Sequence, residues 1–474
     1  MRTLFLQAPS YDGFDGGAGS RYQARREIRS FWYPTWLAQL AALVPDSRLV
    51  DAPPHGIGLG EVLTQANEFD LVVLHTSTPS FAHDVGVAEA LKNAHPSLTI
   101  GMVGAKVAVD PEGSLAHAPP VDFVAGAEFD FTIKEVADGR GWASIDGLTW
   151  RGPDGGVVRN KPRELLRDMD RLPYVTPVYR RDLDVRKYFI GYLRHPYLSF
   201  YTGRGCKSRC TFCLWPQTVG GHLYRTRSVG HVLDEIRWAS KAFPEVKEIF
   251  FDDDTFTDDP QRAEAIARGL GAMGITWSCN AKANVRRETL KVLRDNGLRL
   301  LLVGYESGVQ RILHGVKKGV LVDVARRFTR DCHDLGIAIH GTFILGLPGE
   351  TRETIEQTIR FACEINPHTL QVSLAAPYPG TELHRQAVEH GWLDEDHAEL
   401  VDAHGVQLAP LSYPDLSHEE TFDSVETFYR RFYFRASKIA EIVSEMALSP
   451  SMMARRLREG REFFAFLRER ASAT

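Results

Sequence analysis

The feature that most constrains this chain is a cluster of three cysteines in the segment GRGCKSRCTFCLWPQ. Cys206, Cys210 and Cys213 follow the spacing C-x-x-x-C-x-x-C, so half of the chain's six cysteines fall within eight residues. The preceding YLSFYTG favours a strand, and Gly203 and Gly205 permit a turn after it. Iron–sulfur clusters are held by cysteine thiolates, usually four. Three local ligands would leave one iron with an open coordination site, as in catalytic metal centres.

Two other interpretations of the cluster stay open at this point. A zinc site would need a fourth ligand, and His222 is the nearby candidate. Three unrelated thiols are the second alternative. The other cysteines, Cys279, Cys332 and Cys363, are spread through predicted elements, and we expect core thiols rather than disulfides. Clustered thiolates indicate a reducing compartment.

Phe212 lies between the last two cysteines and gives C-x-aromatic-C, and the whole segment resembles the signature of the radical S-adenosylmethionine (radical SAM) enzymes. The resemblance implies that the three cysteines hold a 4Fe–4S cluster whose open iron binds the amino and carboxylate groups of SAM. It also implies that SAM is cleaved to methionine and a 5′-deoxyadenosyl radical, which abstracts hydrogen from substrate. Phe212 would pack near the adenine.

The overall composition is that of a globular protein. The 474 residues allow two or three domains, and the formal net charge of −5 gives no reason to expect a nucleic-acid partner. We find no apolar run of about 18 residues, the length that spans a bilayer. The opening MRTLFLQAPS reads as a strand rather than a signal peptide. We therefore expect a cytoplasmic protein.

Residues 1–145 alternate between strand-like and helical patterns in five β/α units. Central strands that are apolar on both faces predict a doubly wound parallel sheet of the Rossmann type. Ligands of such sheets bind at the carboxyl ends of the strands, which here are Ala8–Gly17, His75–Pro79 and Gly104–Lys106.

This arrangement resembles the cobalamin-binding domain that precedes many radical SAM domains. The resemblance places Ser77 and Thr78, with Gly104 and Ala105, where that family holds the cobalamin tail. The family's cobalt-ligating loop is D-x-H-x-x-G, but DGFDGG here has Phe14 at the histidine position. Either cobalamin binds without a protein histidine, or the domain has lost it.

The segment GSRYQARREIRSFWYP, between the first strand and its helix, has two interpretations. It is either a basic face followed by core aromatics or a flap that faces the substrate, since it leaves the carboxyl end of a strand. Its charged and aromatic residues are Arg21, Arg25, Arg26, Arg29, Phe31, Trp32, Tyr33 and Trp36.

Three further regions follow. Residues 146–196 contain a β-hairpin around P-D-G-G and a proline-rich linker. Residues 197–400 repeat strand and helix six times, which predicts a partial (β/α)6 barrel of the TIM type with its chemistry at the carboxyl ends of the strands. Residues 401–474 are mainly helical. The predicted fold class is therefore α/β with a helical carboxyl-terminal extension.

Polar residues collect at the predicted carboxyl ends of the barrel strands. By resemblance to the family, the Asp252–Asp254 run would lie beside the SAM amino group, the E-S-G motif at Glu306 would bind the ribose, and Ile344 would pack on the adenine. The predicted cofactor-binding residues of the barrel are Phe212, Asp252, Asp254, Asn280, Lys282, Glu306, Ser307, Gly308, Ile344 and Gly346. For the acidic run, the alternative is a helix cap with solvated carboxylates.

The carboxyl-terminal helix SMMARRLREGREFFAFLRER is basic and amphipathic. We place five apolar residues on roughly one side of it: Met452, Leu457, Phe463, Phe464 and Leu467. The helix either packs on the barrel or rests on anionic lipid, which would make the protein peripheral at the inner membrane.

A narrower resemblance links SYDGFDGGAGSRYQARREIRSFWYPTWLA and GCKSRCTFCLWPQTVGGH to the hopanoid-biosynthesis radical SAM proteins (HpnJ). It implies ring contraction of a hopanoid-linked glucosamine to a cyclitol, as in bacteriohopanetetrol cyclitol ether. A hopanoid glycolipid would be the substrate, with flavodoxin or ferredoxin as electron donor. The alternatives are a cobalamin-dependent radical SAM methyltransferase on a lipid, a tRNA-modifying radical SAM enzyme, and an iron–sulfur electron carrier.

Overall fold

A computed structural model describes residues 1–10, 24, 26–393, 399–402, 405–448 and 450–470. Two parallel sheets organise the chain, and both are covered by helices. The predicted α/β fold class is confirmed.

The first sheet has seven strands in the order β2-β1-β3-β4-β5-β6-β7. Strands β1 to β5 are parallel, and the hairpin β6–β7 joins them antiparallel. The strands are β1 Thr3–Gln7, β2 Ser47–Asp51, β3 Leu71–His75, β4 Thr99–Val103, β5 Phe123–Ala125, β6 Leu148–Arg151 and β7 Val157–Arg159. The helices are α1 Thr35–Leu43, α2 Ala52–His55, α3 Leu59–Ala66, α4 Phe81–Ala94, α5 Ala105–Val109, α6 Pro111–His117, α7 Asp130–Ala137 and α8 Thr176–Asp182.

The second large sheet has six parallel strands in the order β8-β11-β12-β13-β14-β15. Its strands are β8 Tyr197–Phe200, β11 Glu248–Phe251, β12 Trp277–Ala281, β13 Leu298–Glu306, β14 Ala338–Leu345 and β15 Thr369–Leu374, and a short antiparallel pair is formed by β9 Gly203–Arg204 and β10 Arg225–Thr226. The helices are α9 Leu214–Thr218, α10 Val229–Ala242, α11 Pro260–Ala272, α12 Arg287–Asp295, α13 Gln310–Gly315, α14 Val322–Asp334, α15 Arg352–Ile365, α16 Glu382–Glu389, α17 His418–Tyr433, α18 Ala436–Leu448 and α19 Pro450–Arg470.

The six-stranded sheet curves into a barrel that does not close, since β8 and β15 each pair on one side only. The outer edge of β15 is paired with side chains instead. Its N–H groups donate to side-chain oxygens, from Leu370 to Tyr433 at 3.0 Å, Val372 to Tyr429 at 2.9 Å and Leu374 to Gln407 at 2.8 Å. Unpaired buried backbone groups are costly, so these contacts stabilise the open edge.

The edge of β8 is paired in the complementary way. The hydroxyl of Tyr33 donates to the carbonyl oxygen of Tyr197 at 2.7 Å, and that of Tyr179 donates to the carbonyl of Ser199 at 2.9 Å. Tyr179 belongs to α8, in the region predicted to be a linker. That region is therefore packed against the barrel.

The segment from Arg26 to Trp36 bridges the opening between the two edges. Arg26 donates to the side chain of Gln371 on β15 at 2.6 Å, while Tyr33 reaches β8. Trp32, Tyr33 and Trp36 are buried, as the core alternative predicts. Arg21 and Arg25 lie outside the described residues.

Buried ion pairs join the two sheets. Arg204 pairs with Asp130 at 2.6 Å, and Arg225 pairs with Glu128 at 2.6 Å, with all four side chains at most 4% exposed. The guanidinium of Arg204 also lies 4.3 Å from the ring centre of Trp36. Breaking such a buried pair is expensive, typically about 3–5 kcal/mol, so the pairs resist separation of the sheets.

The prediction of a single apolar side on α19 is wrong. Leu467 is buried and Phe463 packs on Tyr429, whereas Leu457 and Phe464 are 60% and 51% exposed. Consecutive helix positions are about 100° apart, so Phe464 lies nearer the solvent than Phe463, although their ring centres are 5.9 Å apart. The side chain of Met452 lies outside the described residues. The helix thus packs on the barrel, and among the described residues no helix is long and apolar enough to cross a bilayer.

We expect Tyr429→Phe to destabilise the fold. The change removes the acceptor for the Val372 N–H and the hydrogen bond from Tyr429 to Glu27. A buried donor left unpaired costs about 1–3 kcal/mol. Urea unfolding measures the loss. Tyr174→Phe is the control, because the Tyr174 hydroxyl has no hydrogen bond within the described residues. Equal stability of the two variants would show that the edge contact is unimportant.

Candidate active site

A cavity of about 320 Å³ lies at the carboxyl ends of the barrel strands. Most of the predicted site residues line it: Cys206, Cys210, Cys213, Phe212, Asp254, Asn280, Lys282, Glu306 and Ile344. Asp252, Ser307, Gly308 and Gly346 are not among its lining residues. The fold therefore brings the cysteine loop and four strand ends to one place.

The cysteine loop is held by its own backbone and by one amide. The side chain of Gln217 donates to the carbonyl oxygens of Cys210, Thr211 and Cys213 at 2.7–3.2 Å. Gly205 has φ +87°, and a Cβ there would lie 2.3 Å from a backbone oxygen. Because these contacts use the backbone, the thiols are left to face the cavity.

The donor set fits an iron–sulfur cluster better than a zinc ion. His222 points its Nδ1 at the carbonyl oxygens of Ser208 and Cys206, at 2.9 Å and 3.3 Å. No group of three or more His, Cys, Asp or Glu side chains within the described ranges converges on one ion position. Three thiols around a shared cavity suit a cluster of several irons.

Two of the three adjacent aspartates are used inside the protein. Asp253 accepts from the backbone and hydroxyl of Thr202, both at 2.6 Å, and burial raises its pKa. Asp252 accepts from the side chain of Asn280 at 3.0 Å. Neither is solvated, which excludes the helix-cap alternative for these two, and Asp254 is the member of the run that lines the cavity.

Glu306 faces the cavity and pairs with Lys318 at 2.5 Å. Its φ of +62° is rare for a residue other than glycine, and such backbone strain concentrates at functional sites. Burial acts to lower the pKa of Lys318, but attraction to Glu306 and Cys210 outweighs it and raises that pKa. Sequence reasoning missed Lys318, whose signal was a pair of lysines in a loop.

Ser307 and Gly308 make their contacts with α15 inside the protein. The hydroxyl of Ser307 and the N–H of Gly308 each lie 3.1 Å from the hydroxyl of Thr358 on α15. A Cβ on Gly308 would lie 2.4 Å from the Cβ of Phe361. These residues attach α15 to β13, and their predicted contact with ribose stays a prediction.

Two other predicted residues also have partners within the protein. Lys282 pairs with Asp258 at 2.9 Å while it lines the cavity. Gly346 has φ +81°, and its N–H donates to Glu350 at 2.7 Å. Burial raises the pKa of Glu350 to about 8. Gly346 thus shapes the turn after β14, which carries Ile344.

Arg26 and Trp32 enter the same cavity from the segment that bridges the open barrel. The buried Trp32, Tyr33 and Trp36 fit the core alternative, and Arg26 and Trp32 also line the cavity; that the segment faces the substrate stays a prediction. Trp215, directly after the cysteine loop, stacks on Trp36 at 5.8 Å between ring centres. The two sheets thus meet in aromatic packing beside the cavity.

At the predicted cobalamin edge of the first sheet, Gly104 packs closely against the backbone that follows β3. A Cβ on Gly104 would lie 2.1 Å from the carbonyl oxygen of Thr76 and 3.4 Å from Nε2 of His75. That nitrogen is buried without a partner among the described residues, and burial lowers the His75 pKa to about 4. The Ser77 hydroxyl already bonds to Ser80 at 2.8 Å.

The close approach at Gly104 is to the chain's own backbone, so the unpartnered imidazole nitrogen of His75 is the feature of this edge that fits a polar ligand, such as a cobalamin tail. Thr78 is half-buried beside Ser77, and Ala105 begins α5 directly after Gly104. Asp12, Phe14 and Gly17, on which the prediction of the cobalt ligand depends, lie outside the described residues. The carboxyl-edge segment Ala8–Gly17 is likewise described only to residue 10.

Comparison with known proteins identifies the family. Residues 200–362 match the radical SAM superfamily. The chain is 31% identical, over 382 residues, to a protein of Pyrococcus horikoshii named uncharacterized methyltransferase PH0819, and the match covers 78% of this chain and 81% of that protein. The chain belongs to the radical SAM superfamily. It is therefore an enzyme with a 4Fe–4S cluster and SAM as cofactors, which excludes the electron-carrier alternative.

Two further similarities extend over nearly the whole chain. The anaerobic magnesium-protoporphyrin IX monomethyl ester cyclase of Rubrivivax gelatinosus is 27% identical, with 91% of this chain and 77% of that protein covered. The radical SAM methyltransferase TsrM of Kitasatospora setae, solved with cobalamin and a [4Fe-4S] cluster, superposes with a TM-score of 0.70 at 15% identity. That match covers 98% of this chain and 99% of TsrM, and it shows a shared fold.

We expect Glu306→Gln to lower the affinity for SAM about ten-fold or more while the cluster remains. The variant keeps the shape but loses charge-assisted hydrogen bonds, worth about 1.5–3 kcal/mol. Anaerobic calorimetry with SAM measures the change. Glu235→Gln is the matched control, a buried carboxylate that pairs with Arg227 outside the cavity lining. Unchanged SAM affinity in Glu306→Gln would remove Glu306 from the site.

Proposed function

We propose that this radical SAM enzyme is a cobalamin-dependent methyltransferase that acts on a lipid. The observation that carries the proposal is the thiol-lined cavity together with the buried, unpartnered Nε2 of His75 at the carboxyl edge of the adjoining Rossmann-type sheet. The relatives support it, since PH0819 is named a methyltransferase and TsrM carries both cobalamin and a cluster.

The chain's own residues have distinct tasks in this proposal. Cys206, Cys210 and Cys213 bind the cluster, and Glu306 binds the SAM ribose. Lys318 holds the Glu306 side chain toward the cavity through their ion pair. The stacked Trp36 and Trp215 exclude water from the junction of the two sheets.

On the first sheet, Ser77, Thr78, Gly104 and Ala105 would hold the tail of cobalamin. The corrin would then be held without a side-chain ligand from Phe14, because phenylalanine has no donor atom. When bound, cobalamin supplies a cobalt-carried methyl group to the reaction.

A second candidate is ring contraction of a hopanoid-linked glucosamine to a cyclitol, the step of the HpnJ proteins. The motif GCKSRCTFCLWPQTVGGH and the N-terminal segment favour it, because they carry the narrower resemblance. A relative named a cyclase also indicates that methyl transfer is not the sole activity among similar proteins. Both candidates use a lipid substrate and a low-potential electron donor such as flavodoxin or ferredoxin.

Product analysis distinguishes the two candidates. We expect the reconstituted enzyme, given SAM, hydroxocobalamin, a reductant and a lipid extract, to form S-adenosylhomocysteine together with a methylated lipid. Ring contraction would give 5′-deoxyadenosine and no S-adenosylhomocysteine. Mass spectrometry of both nucleosides and of the lipids provides the measurement.

The triple variant of Cys206, Cys210 and Cys213 to alanine is the control and should give neither nucleoside. Formation of 5′-deoxyadenosine alone, with a contracted sugar, would overturn the methyltransferase proposal in favour of the second candidate. A modified tRNA, in a parallel reaction given tRNA in place of the lipid extract, would overturn both.

We also propose that α18 and α19 rest on an anionic membrane. Val443 and Leu457 are 56% and 60% exposed, and Arg461 is exposed one turn after Leu457. Apolar side chains beside cations suit a lipid surface, where each cation contributes about 1 kcal/mol.

We expect the full-length protein to float with anionic liposomes at low salt and to be released at high salt, because salt screens the cations. Val443→Glu with Leu457→Glu should abolish flotation without unfolding, since both positions are exposed. Val388→Glu, at an equally exposed position on α16, is the control. A protein that never floats, or a double variant that floats like the parent, would contradict membrane contact.

A further inference from the structure

A second cavity of about 300 Å³ lies between the carboxyl-terminal helices and the amino-terminal halves of β14 and β15. Its apolar lining comes mainly from α18, α19 and the residue that follows α17: Ile28, Leu370, Phe434, Ile439, Ile442, Phe463 and Phe464. Ligand pockets in proteins begin at about this volume. The open side of the barrel therefore contains a space large enough for an apolar group.

Several polar residues of the wall are paired within the protein. Arg456 pairs with Glu459 at 2.9 Å and with Glu445 at 2.5 Å. The hydroxyls of Tyr429 and Tyr433 bind the edge of β15. Because these groups are used within the wall, the surface left to a ligand is mainly hydrocarbon.

The cavity adjoins the active site. Arg26 and Tyr192 line both this cavity and the thiol-lined one, so they form a shared wall. Tyr192 stacks on His340 at 4.0 Å between ring centres. The Nε2 of His340 is buried without a hydrogen-bond partner in the described part of the chain. The groups that can still form hydrogen bonds with a ligand therefore lie on the side of the cavity that faces the active site.

The other side of the cavity is apolar and reaches the surface. Phe434, Ile439 and Phe464 line the cavity and are 53%, 44% and 51% exposed. The rings of Phe434 and Phe464 lie 6.2 Å apart. Exposed large apolar side chains that border a cavity mark an entry for an apolar ligand.

We propose that this cavity binds the hydrocarbon body of an amphiphilic substrate, whose polar end passes Arg26 and Tyr192 into the thiol-lined cavity. The assignment depends on the polarity of the cavity's two ends. Hydrocarbon groups lie at the end that reaches the surface, and hydrogen-bonding groups lie at the wall shared with the active site. The inference deepens the proposed function and rests on it for the reaction at the polar end, but binding can be tested without turnover.

The test fills the cavity by replacing a glycine in its wall with a larger residue. Gly460 on α19 lines the cavity, and a Cβ there meets no atom within 4 Å. Gly460→Leu therefore places a side chain into open space and also favours the helix. Gly230→Leu on α10 is the matched control, because that helix glycine is equally open and does not line the cavity.

The probe is n-dodecyl-β-D-glucoside below its micelle concentration, measured by anaerobic calorimetry on the reconstituted chain, with glucose as the head-group control. We expect saturable binding of the glucoside and none of glucose. Gly460→Leu should weaken binding about ten-fold or more, and Gly230→Leu should not. A second variant, Ile439→Trp, narrows the mouth at an exposed position and should also weaken binding.

Absence of glucoside binding, or equal binding by the parent and both cavity variants, would overturn the inference. Cleavage of SAM by dithionite-reduced protein is measured in parallel. If the enzyme cleaves SAM but binds no glucoside, only the assignment of this cavity is wrong. If the protein binds the glucoside at this cavity but cannot cleave SAM, the proposed function is wrong and the assignment of the cavity stands.

Discussion

The unclosed edge of the six-stranded barrel is the constraint on which the rest of this structure depends. Two rows of backbone groups would be unpaired, and buried unpaired groups are rarely tolerated. Tyrosine hydroxyls on both sides satisfy them, as acceptors beside β15 and as donors beside β8. The segment that carries Tyr33 must cross the opening to do so. That path brings Arg26 and Trp32 into the active-site cavity.

Internal pairing decides which polar residues remain available to cofactors. Asp253 and Ser307 bind neighbouring elements of the barrel, whereas Asp254 and Glu306 face the cavity. The positive φ of Glu306 turns this carboxylate away from the regular strand direction. Lys318 then compensates its charge. A strand end rich in polar residues thus contributes far fewer groups to the site than its sequence suggests.

The sequence was most informative where a local pattern determines structure. Strands that are apolar on both faces predicted the parallel sheet, and the cysteine spacing predicted the loop, because both depend on near neighbours in the chain. Lys318 could not be found this way, since its partner Glu306 lies on the preceding strand and helix α13 separates the two residues in the chain. The single apolar side predicted for α19 failed because the packing of Phe463 depends on Tyr429 of another helix.

Electron paramagnetic resonance of the anaerobically reconstituted and reduced chain tests the central claim, a three-cysteine cluster with an open iron, most directly. The account predicts a cluster signal that changes when SAM is added, about four irons per chain in a parallel iron assay, and no signal from the triple variant of Cys206, Cys210 and Cys213 to alanine. A signal that SAM leaves unchanged, or a stoichiometric zinc ion in place of iron, would contradict it.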